Sequence, residues 1–353
     1  MSTSTCCSSP SRSPHPRLRT VPEGLSPAKV AQRLRRVNPS PWEWEGLKST
    51  HEITSVWATG QKQSRAQRNG RYVPEAMRHP AKMLPAIAAM VIGTYSRPGE
   101  LVVDPMCGIG TTLVEAVHLG RRAVGVEFEE RWAKVAVAGL ALAERQGATG
   151  PGRVISGDAR AIGRLLAELA RRVALVLTSP PYGAMTHGHV RSTRDSGKAG
   201  IRKWNHRYSR DRANLAHRSL PDLLEGFGRI LEGCGELLRP GGAVAVTVRP
   251  YRLHGELVDL PGCVLEVGQA SGLEFADRIA CLLCGVGERR LLNRSSFFQL
   301  HEARRGWARG LPIHAIAHED LLIFRKPADG PLVEGATPRV TSSGTADDKR
   351  IRA

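Results

Sequence analysis

Thr178-Ser179-Pro180-Pro181-Tyr182 follows the apolar run Val173-Ala174-Leu175-Val176-Leu177. A run of β-formers that stops at two prolines cannot continue as a central strand. The chain must leave the sheet there, placing a hydroxyl, a carbonyl and an aromatic ring side by side. The Ser179 Oγ and the Pro180 carbonyl can accept the two hydrogens of an exocyclic amine, while Tyr182 stacks on the ring that carries it. Upstream, three acids close three more strand-like runs: Asp104 after Leu101-Val102-Val103, Glu127 after Ala123-Val124-Gly125-Val126, and Asp158 after Arg153-Val154-Ile155-Ser156-Gly157. Gly108 and Gly110 let the backbone approach a ligand closely before Thr111 and Thr112 open a helix. Such a loop alone serves a dinucleotide or a phosphate equally well. The Asp104-Pro105 pair ahead of the glycines decides against phosphate, because a carboxylate repels it and suits an ammonium group. Glu127 lies 23 positions after Asp104, where an acid can accept from both hydroxyls of a ribose. Any one of these acids could cap a helix; three ending three successive strands indicate one ligand edge.

Together, Ser179-Pro180-Pro181-Tyr182, the Asp104–Thr112 loop and His79-Pro80-Ala81-Lys82 resemble the amino-directed DNA methyltransferases, over roughly residues 72–326. The resemblance implies S-adenosylmethionine as cofactor and cytosine N4 or adenine N6 as the methylated atom. It implies an α/β, Rossmann-like methyltransferase fold: a mostly parallel seven-stranded sheet with helices on both faces, its last two strands antiparallel. It also implies a cofactor set of His79, Pro80, Asp104, Pro105, Gly108, Gly110, Thr111, Glu127 and Asp158, with His79-Pro80 at the methionine end and Asp158 accepting from the adenine amine. Ser179, Pro180, Pro181 and Tyr182 form the catalytic set. The chain departs from the commoner His-Pro-Thr-Gln-Lys-Pro form, which leaves Lys82 without an assigned role. Serine at the head of the tetrapeptide resembles the cytosine-N4 group, so cytosine N4 is expected over adenine N6.

No Pro-Cys pair occurs in the chain, so the activated cysteine that cytosine-C5 chemistry requires is missing and no covalent enzyme intermediate is expected. A base paired inside a duplex must be flipped out, with Tyr182 replacing the stacking it gives up. Two other readings stay open: an RNA enzyme methylating a guanine or adenine amine in transfer or ribosomal RNA, and a binder without catalysis.

The chain has 353 residues, 41% hydrophobic, and a formal charge of +18. That much uncompensated charge calls for a polyanionic partner, and double-stranded DNA is the expected one. The charge is concentrated. Residues 184–219 hold nine Lys/Arg against two Asp, and residues 285–317 six Arg against two Glu. These read as basic insertions, the first a loop that orders on DNA, with Arg191, Arg194, Lys198, Arg202, Lys203, Trp204, Arg207, Arg304 and Arg305 as candidate contacts. Insertions this small suggest a short or non-stringent target. His187, His189, His206 and His217 share no ligand spacing, and Cys281-Leu282-Leu283-Cys284 reads as buried strand, so no metal is expected. The seven cysteines show no disulfide framework. With no membrane-length apolar run and no signal-peptide core, a cytoplasmic protein is expected. No nuclease or helicase motif is visible, so a role in restriction or phage defence would need a partner.

Around these motifs the chain divides into a disordered basic arm (1–40), an aromatic and basic extension (41–78), the catalytic domain (79–326) and a disordered tail (327–353). In the extension, Trp42, Trp44 and Trp57 amid Lys62, Arg65, Arg68 and Arg71 suit either a strand-gripping surface or a cap on the core. Within the domain the pattern predicts helices over 79–95, 220–238 and 259–271. It predicts strands over 243–248, 273–284 and 321–324, and a sharp turn at Arg239-Pro240-Gly241-Gly242.

Overall fold

The computed structural model describes residues 54–182, the backbone of 189–192 and 201–204, and residues 211, 213–253, 256–295 and 297–327. In chain order the strands are β1 (Val56–Trp57), β2 (Leu101–Asp104), β3 (Arg122–Glu127), β4 (Gly152–Ser156), β5 (Val173–Thr178), β6 (His189–Ser192), β7 (Ile201–Trp204), β8 (Leu238–Val248), β9 (Tyr251–Leu253), β10 (Glu256–Val258), β11 (Glu274–Leu282), β12 (Gly285–Val286), β13 (Leu291–Leu292) and β14 (His318–Arg325). The α-helices are α1 (Ser64–Arg68), α2 (Pro85–Tyr95), α3 (Thr111–His118), α4 (Glu130–Arg145), α5 (Ile162–Leu165), α6 (Leu220–Leu237), α7 (Leu260–Ala270) and α8 (Phe297–Trp307).

One eight-stranded sheet organises them, in the order β1-β11-β14-β8-β5-β2-β3-β4. Neighbours pair in parallel except β14, which is antiparallel to both β8 and β11. Every residue of β2 and of β5 is buried, as continuous apolar runs in a parallel sheet covered on both faces should be. Alternate residues feed two cores. Val102, Leu175, Leu177, Ala243, Ala245, Leu321 and Ile323 pack under α2, α3 and α4 through Ile87, Val91, Leu113 and Ala136. Val103, Val124, Val176, Val244, Val246 and Phe324 pack on the other face under α5, α6 and α7 through Ile162, Phe227, Ile230 and Val264. The fold is the α/β, Rossmann-like methyltransferase architecture.

Four local features differ from the sequence expectation. The eighth strand is β1, a two-residue edge strand parallel to β11, too short to carry a period-2 signal. The helix expected from His79 begins at Pro85, with Leu84 extended ahead of it. Proline lacks the amide a helix interior needs and is at home in the first turn, so Pro85 starts the helix and the chain ahead of it stays non-helical. The Arg239–Gly242 turn lies within β8, between the rungs Val173↔Leu238 and Leu175↔Ala243, bulging from a strand that has already begun. Finally, the basic stretches carry structure: β6 pairs with β7, β12 with β13, and α8 follows.

The extension is tied down from residue 56 onward. Trp57 is 2% exposed and Tyr72 7%, both in the core with α2 and α3. Trp42 and Trp44 lie outside the described residues. Arg71 grips Glu115 of α3 through Nε to Oε1 (2.8 Å) and Nη2 to Oε2 (2.6 Å), and the Tyr72 hydroxyl donates to Oε1 (2.7 Å). Arg68 is buried, with Nη1 on Ser64 Oγ at 2.7 Å and Nη2 on the Met83 carbonyl. Of the two uses open to these cations, core capping describes Arg68 and Arg71. Cys281 and Cys284 are buried free thiols at the end of β11. No described helix is long and apolar enough to cross a membrane.

Candidate active site

A parallel strand delivers its last residue to the carboxyl edge of the sheet, and the chain reversal that follows leaves a crevice there. In this chain the crevice is a cavity of about 770 Å³. His79, Pro80, Asp104, Pro105, Gly108, Thr111, Glu127, Asp158, Ser179, Pro180, Pro181 and Tyr182 all line it. Gly110 does not. It sits behind the loop at φ 78°, where it turns the chain into α3, and a Cβ there would stand 3.0 Å from that of Ala136.

At one end the loop after β2 is folded by its own backbone. The Cys107 amide donates to the Val126 carbonyl (3.0 Å) and the Gly110 amide to the Cys107 carbonyl (2.7 Å). Gly108 has φ 54°, and a Cβ on it would come within 3.3 Å of His79 Nε2. His79 is held edge-on to Trp132, with ring centroids 4.6 Å apart. Asp104 accepts from Thr112 Oγ1 (2.6 Å) and from the Met106 amide (3.1 Å), yet it is so deeply buried that its pKa is pushed up to about 6. Glu127 accepts from the amides of Gly108 (2.7 Å) and Glu129 (2.8 Å), and burial pushes it up to about 7. In both acids burial outweighs the hydrogen bonds that favour the ionised form.

Beside them, Asp158 is engaged by Arg160 through Nε (3.0 Å) and Nη2 (2.6 Å). Burial works to raise its pKa, but the guanidinium and the Arg160 amide outweigh it and hold the carboxylate below its usual value. Phe128, next to Glu127, adds an apolar wall.

At the other end Ser179 and Pro180 emerge from β5, and neither the Ser179 hydroxyl nor the Pro180 carbonyl makes a hydrogen bond among the described residues. Tyr182 is half-buried, and the Arg249 guanidinium stands 5.5 Å from its ring centroid. Thr247, Arg249 and Glu319 complete this end. Sequence reasoning missed them, although a signal existed: a reversed strand starts at the edge where its parallel neighbours end, so the first residues of β14 had to arrive beside the last of β8.

Lys82 also lines the cavity, donating to the His79 carbonyl, and burial lowers its pKa to about 8. The candidate nucleic-acid contacts are dispersed. Arg191, Arg202, Lys203 and Trp204 lie on the β6–β7 hairpin, and Arg304 and Arg305 are exposed on α8. Arg194, Lys198 and Arg207 lie outside the described residues. Among the described residues no group of His, Cys, Asp and Glu is placed to hold a metal.

Residues 26–138 match a family model described as DNA methylase, of the N6/N4 methyltransferases. The match contains His79–Lys82 and Asp104–Thr112 and stops before Ser179. A tRNA (guanine(10)-N2)-dimethyltransferase of Methanocaldococcus jannaschii is 34% identical over 110 residues, 31% of each chain. One of Methanothermobacter thermautotrophicus is 31% identical over 106 residues, covering 30% of this chain and 29% of its own. The chain thus matches about a third of the length of these curated relatives. Among solved structures, TrmN from Thermus thermophilus aligns with a TM-score of 0.43 and 17% identity, over 74% of this chain and 53% of its own. A methyltransferase from Pyrococcus furiosus aligns with 0.36 and 14%, over 69% and 84%.

The donor set suits S-adenosylmethionine. Asp104 offers a buried anion to an ammonium, Glu127 has lone pairs left for ribose hydroxyls, and the bare backbone at Gly108 lets a ligand approach. Through the loop of residues 104–112 and the His79-Pro80 segment, both inside the matched span, this chain is similar to the amino-directed DNA methylases over residues 26–138, and S-adenosylmethionine is the cofactor that this likeness and the donor set support.

Proposed function

We propose that this protein methylates the exocyclic amine of a nucleobase carried on a nucleic acid, cytosine N4 of duplex DNA being the leading target. The observation that carries the reading is a single cavity with the three-acid edge at one end and the open acceptors of Ser179 and Pro180 at the other. Bound S-adenosylmethionine supplies an electrophilic sulfonium methyl group. The protein's task is then to present a poor nucleophile to it. An exocyclic amine has its lone pair delocalised into the ring; hydrogen bonds from its two N–H groups to Ser179 Oγ and the Pro180 carbonyl draw the nitrogen towards tetrahedral geometry. Tyr182 holds the ring plane. The rate gain comes from positioning two bound reactants and from dipoles fixed in advance.

A second reading, a guanine amine in RNA, is favoured by the names of the curated relatives, which are tRNA guanine-N2 enzymes. Nucleoside mass spectrometry after incubation of the protein with methyl donor and either duplex DNA or total RNA tests both. N4-methylcytosine in DNA that disappears with Ser179→Ala is the expected result. N6-methyladenine overturns the choice of base, methylguanine in RNA alone makes the second reading the correct one, and no product on either overturns the enzyme reading.

A further inference from the structure

Four carboxylates line the cavity: Asp104, Glu127, Asp158 and Glu319. The first three already accept hydrogen bonds within the protein, from Thr112 and the Met106 amide, from the Gly108 and Glu129 amides, and from Arg160. The Glu319 carboxylate makes no hydrogen bond and no ion pair among the described residues.

Its position follows from the β8–β14 ladder, where Thr247 pairs with Leu321 and Val248 with Asp320. One step further along, Arg249 stands across from Glu319. Alternation along both strands then puts Thr247, Arg249 and Glu319 on the sheet face that opens into the cavity, while Asp320, its carboxylate on Arg278 Nε at 2.8 Å, points to the opposite face. Thr247 is 1% exposed and its Oγ1 has no hydrogen-bond partner among the described residues. The acceptor end therefore holds two polar side chains, an acid and a hydroxyl, whose hydrogen-bonding capacity no described protein group uses.

The proposed methylation leaves a problem at this end. An amine that has taken a methyl group is cationic and must lose a proton. The Pro180 carbonyl cannot keep one, the Ser179 hydroxyl would have to become an oxonium, and Asp158 is held in its ionised form by Arg160. We propose that Glu319 is a catalytic residue of this site, its carboxylate taking the proton from the amine as the methyl group is transferred. The step balances: the amine nitrogen bonds to the methyl carbon, sulfur keeps the electron pair of the broken bond, and the N–H electron pair stays on nitrogen. The proton goes to Oε of Glu319 and then to water.

The groups facing Glu319 are Arg249 after β8, Tyr182 after β5, Cys281 across β11 and its neighbour Asp320. Burial raises its proton affinity, Arg249 opposes that and Asp320 adds to it. The net result is a carboxylate more basic than an exposed one, as a general base near neutral pH must be.

The inference rests on the base-amine reading, and its test separates the two. Wild-type, Glu319→Gln and Glu319→Asp proteins are compared for kcat and KM against pH and for S-adenosylmethionine Kd by calorimetry. Carboxyl titration by NMR with carbon-13-labelled glutamate gives a readout independent of turnover. Glu319→Gln should lower kcat about 100-fold with cofactor Kd unchanged, and should abolish the fall of kcat at acid pH; Glu319→Asp should recover part of the rate. One glutamate resonance, absent from Glu319→Gln, should titrate above the usual value of about 4.3. Unchanged kcat in Glu319→Gln, or an acid limb that survives it, overturns the role of Glu319 alone. Wild-type protein that binds the cofactor but methylates no base overturns the reading beneath it. Should Glu319→Gln not fold, a full rate loss in a folded Glu319→Asp with a raised Glu319 titration supports the role, and a Glu319 that titrates in the ordinary range overturns it.

Discussion

Asp104 and Glu127, the proposed ligand acids, are buried with their pKa values raised. Their folded-state pKa values, about 6 and about 7, lie above the ordinary 3.8 and 4.5. The folded state therefore holds these protons more tightly than the unfolded chain does. The stabilising contribution is fully present below the ordinary values and is lost as pH rises through the folded ones, at roughly 3 kcal/mol per group. Cofactor-free protein should melt at higher temperature near pH 5.5 than near pH 8. Cofactor binding should run the other way, because an ammonium and ribose hydroxyls need the ionised acids. The Kd for S-adenosylmethionine should weaken as pH falls through 7 and then 6, and calorimetry across that range measures it. Equal pH slopes for melting and for binding would contradict this account. At the acceptor end, Ser179→Ala removes one of two amine acceptors and should cost about 100-fold in kcat with cofactor Kd unchanged.

Two packing arrangements hold the site's elements in register. The Arg71 and Tyr72 bonds to Glu115 fasten the segment before His79 to α3, the helix that opens the cofactor loop. Glu115→Ala would strand the Tyr72 hydroxyl and part of the Arg71 guanidinium. Unfolding in denaturant should show a loss of about 2 kcal/mol. In the middle of β3, Gly125 has Cys107 Sγ and Leu113 Cδ1 each 2.7 Å from where a Cβ would stand. Gly125→Ala should therefore push the 105–110 loop outward, at a cost of about 1–3 kcal/mol in stability. Weaker cofactor affinity should accompany it, and an unchanged Kd would show that the loop gives way without moving the site.

Over the whole molecule, the proposed function divides the work between the charge of +18 and the acidic edge of the cavity: acids inside would face a cationic ligand, and cations outside would meet phosphate. Arg304 and Arg305, exposed on α8, are candidates for the outer set. Nucleic-acid affinity should fall linearly with the logarithm of salt concentration, and Arg304→Ala with Arg305→Ala should flatten that slope by about 1 for each phosphate that is no longer neutralised. Fluorescence anisotropy between low and physiological salt gives both slopes. An unchanged slope would place the nucleic acid on another face.

The sequence by itself determined the three acids, the glycine loop, the tetrapeptide and the strands that carry them. These are contiguous motifs whose local physics, buried apolar runs ended by Gly, Pro or an acid, does not depend on distant partners. It also carried the fold, because alternating strands and helices with one reversed strand admit few arrangements. Tertiary structure decided what depends on pairing. The aromatic and basic stretch after residue 54 could have been a nucleic-acid grip or a core cap; burial of Trp57, Arg68 and Tyr72 and the carboxylate of Glu115 made it a cap. Glu319 stood in the sequence as one of several acids beside a closing strand. Only the antiparallel register of β14 on β8 brings it beside Arg249 and Tyr182, since the residues that face one another across a ladder are set by pairing and not by spacing along the chain.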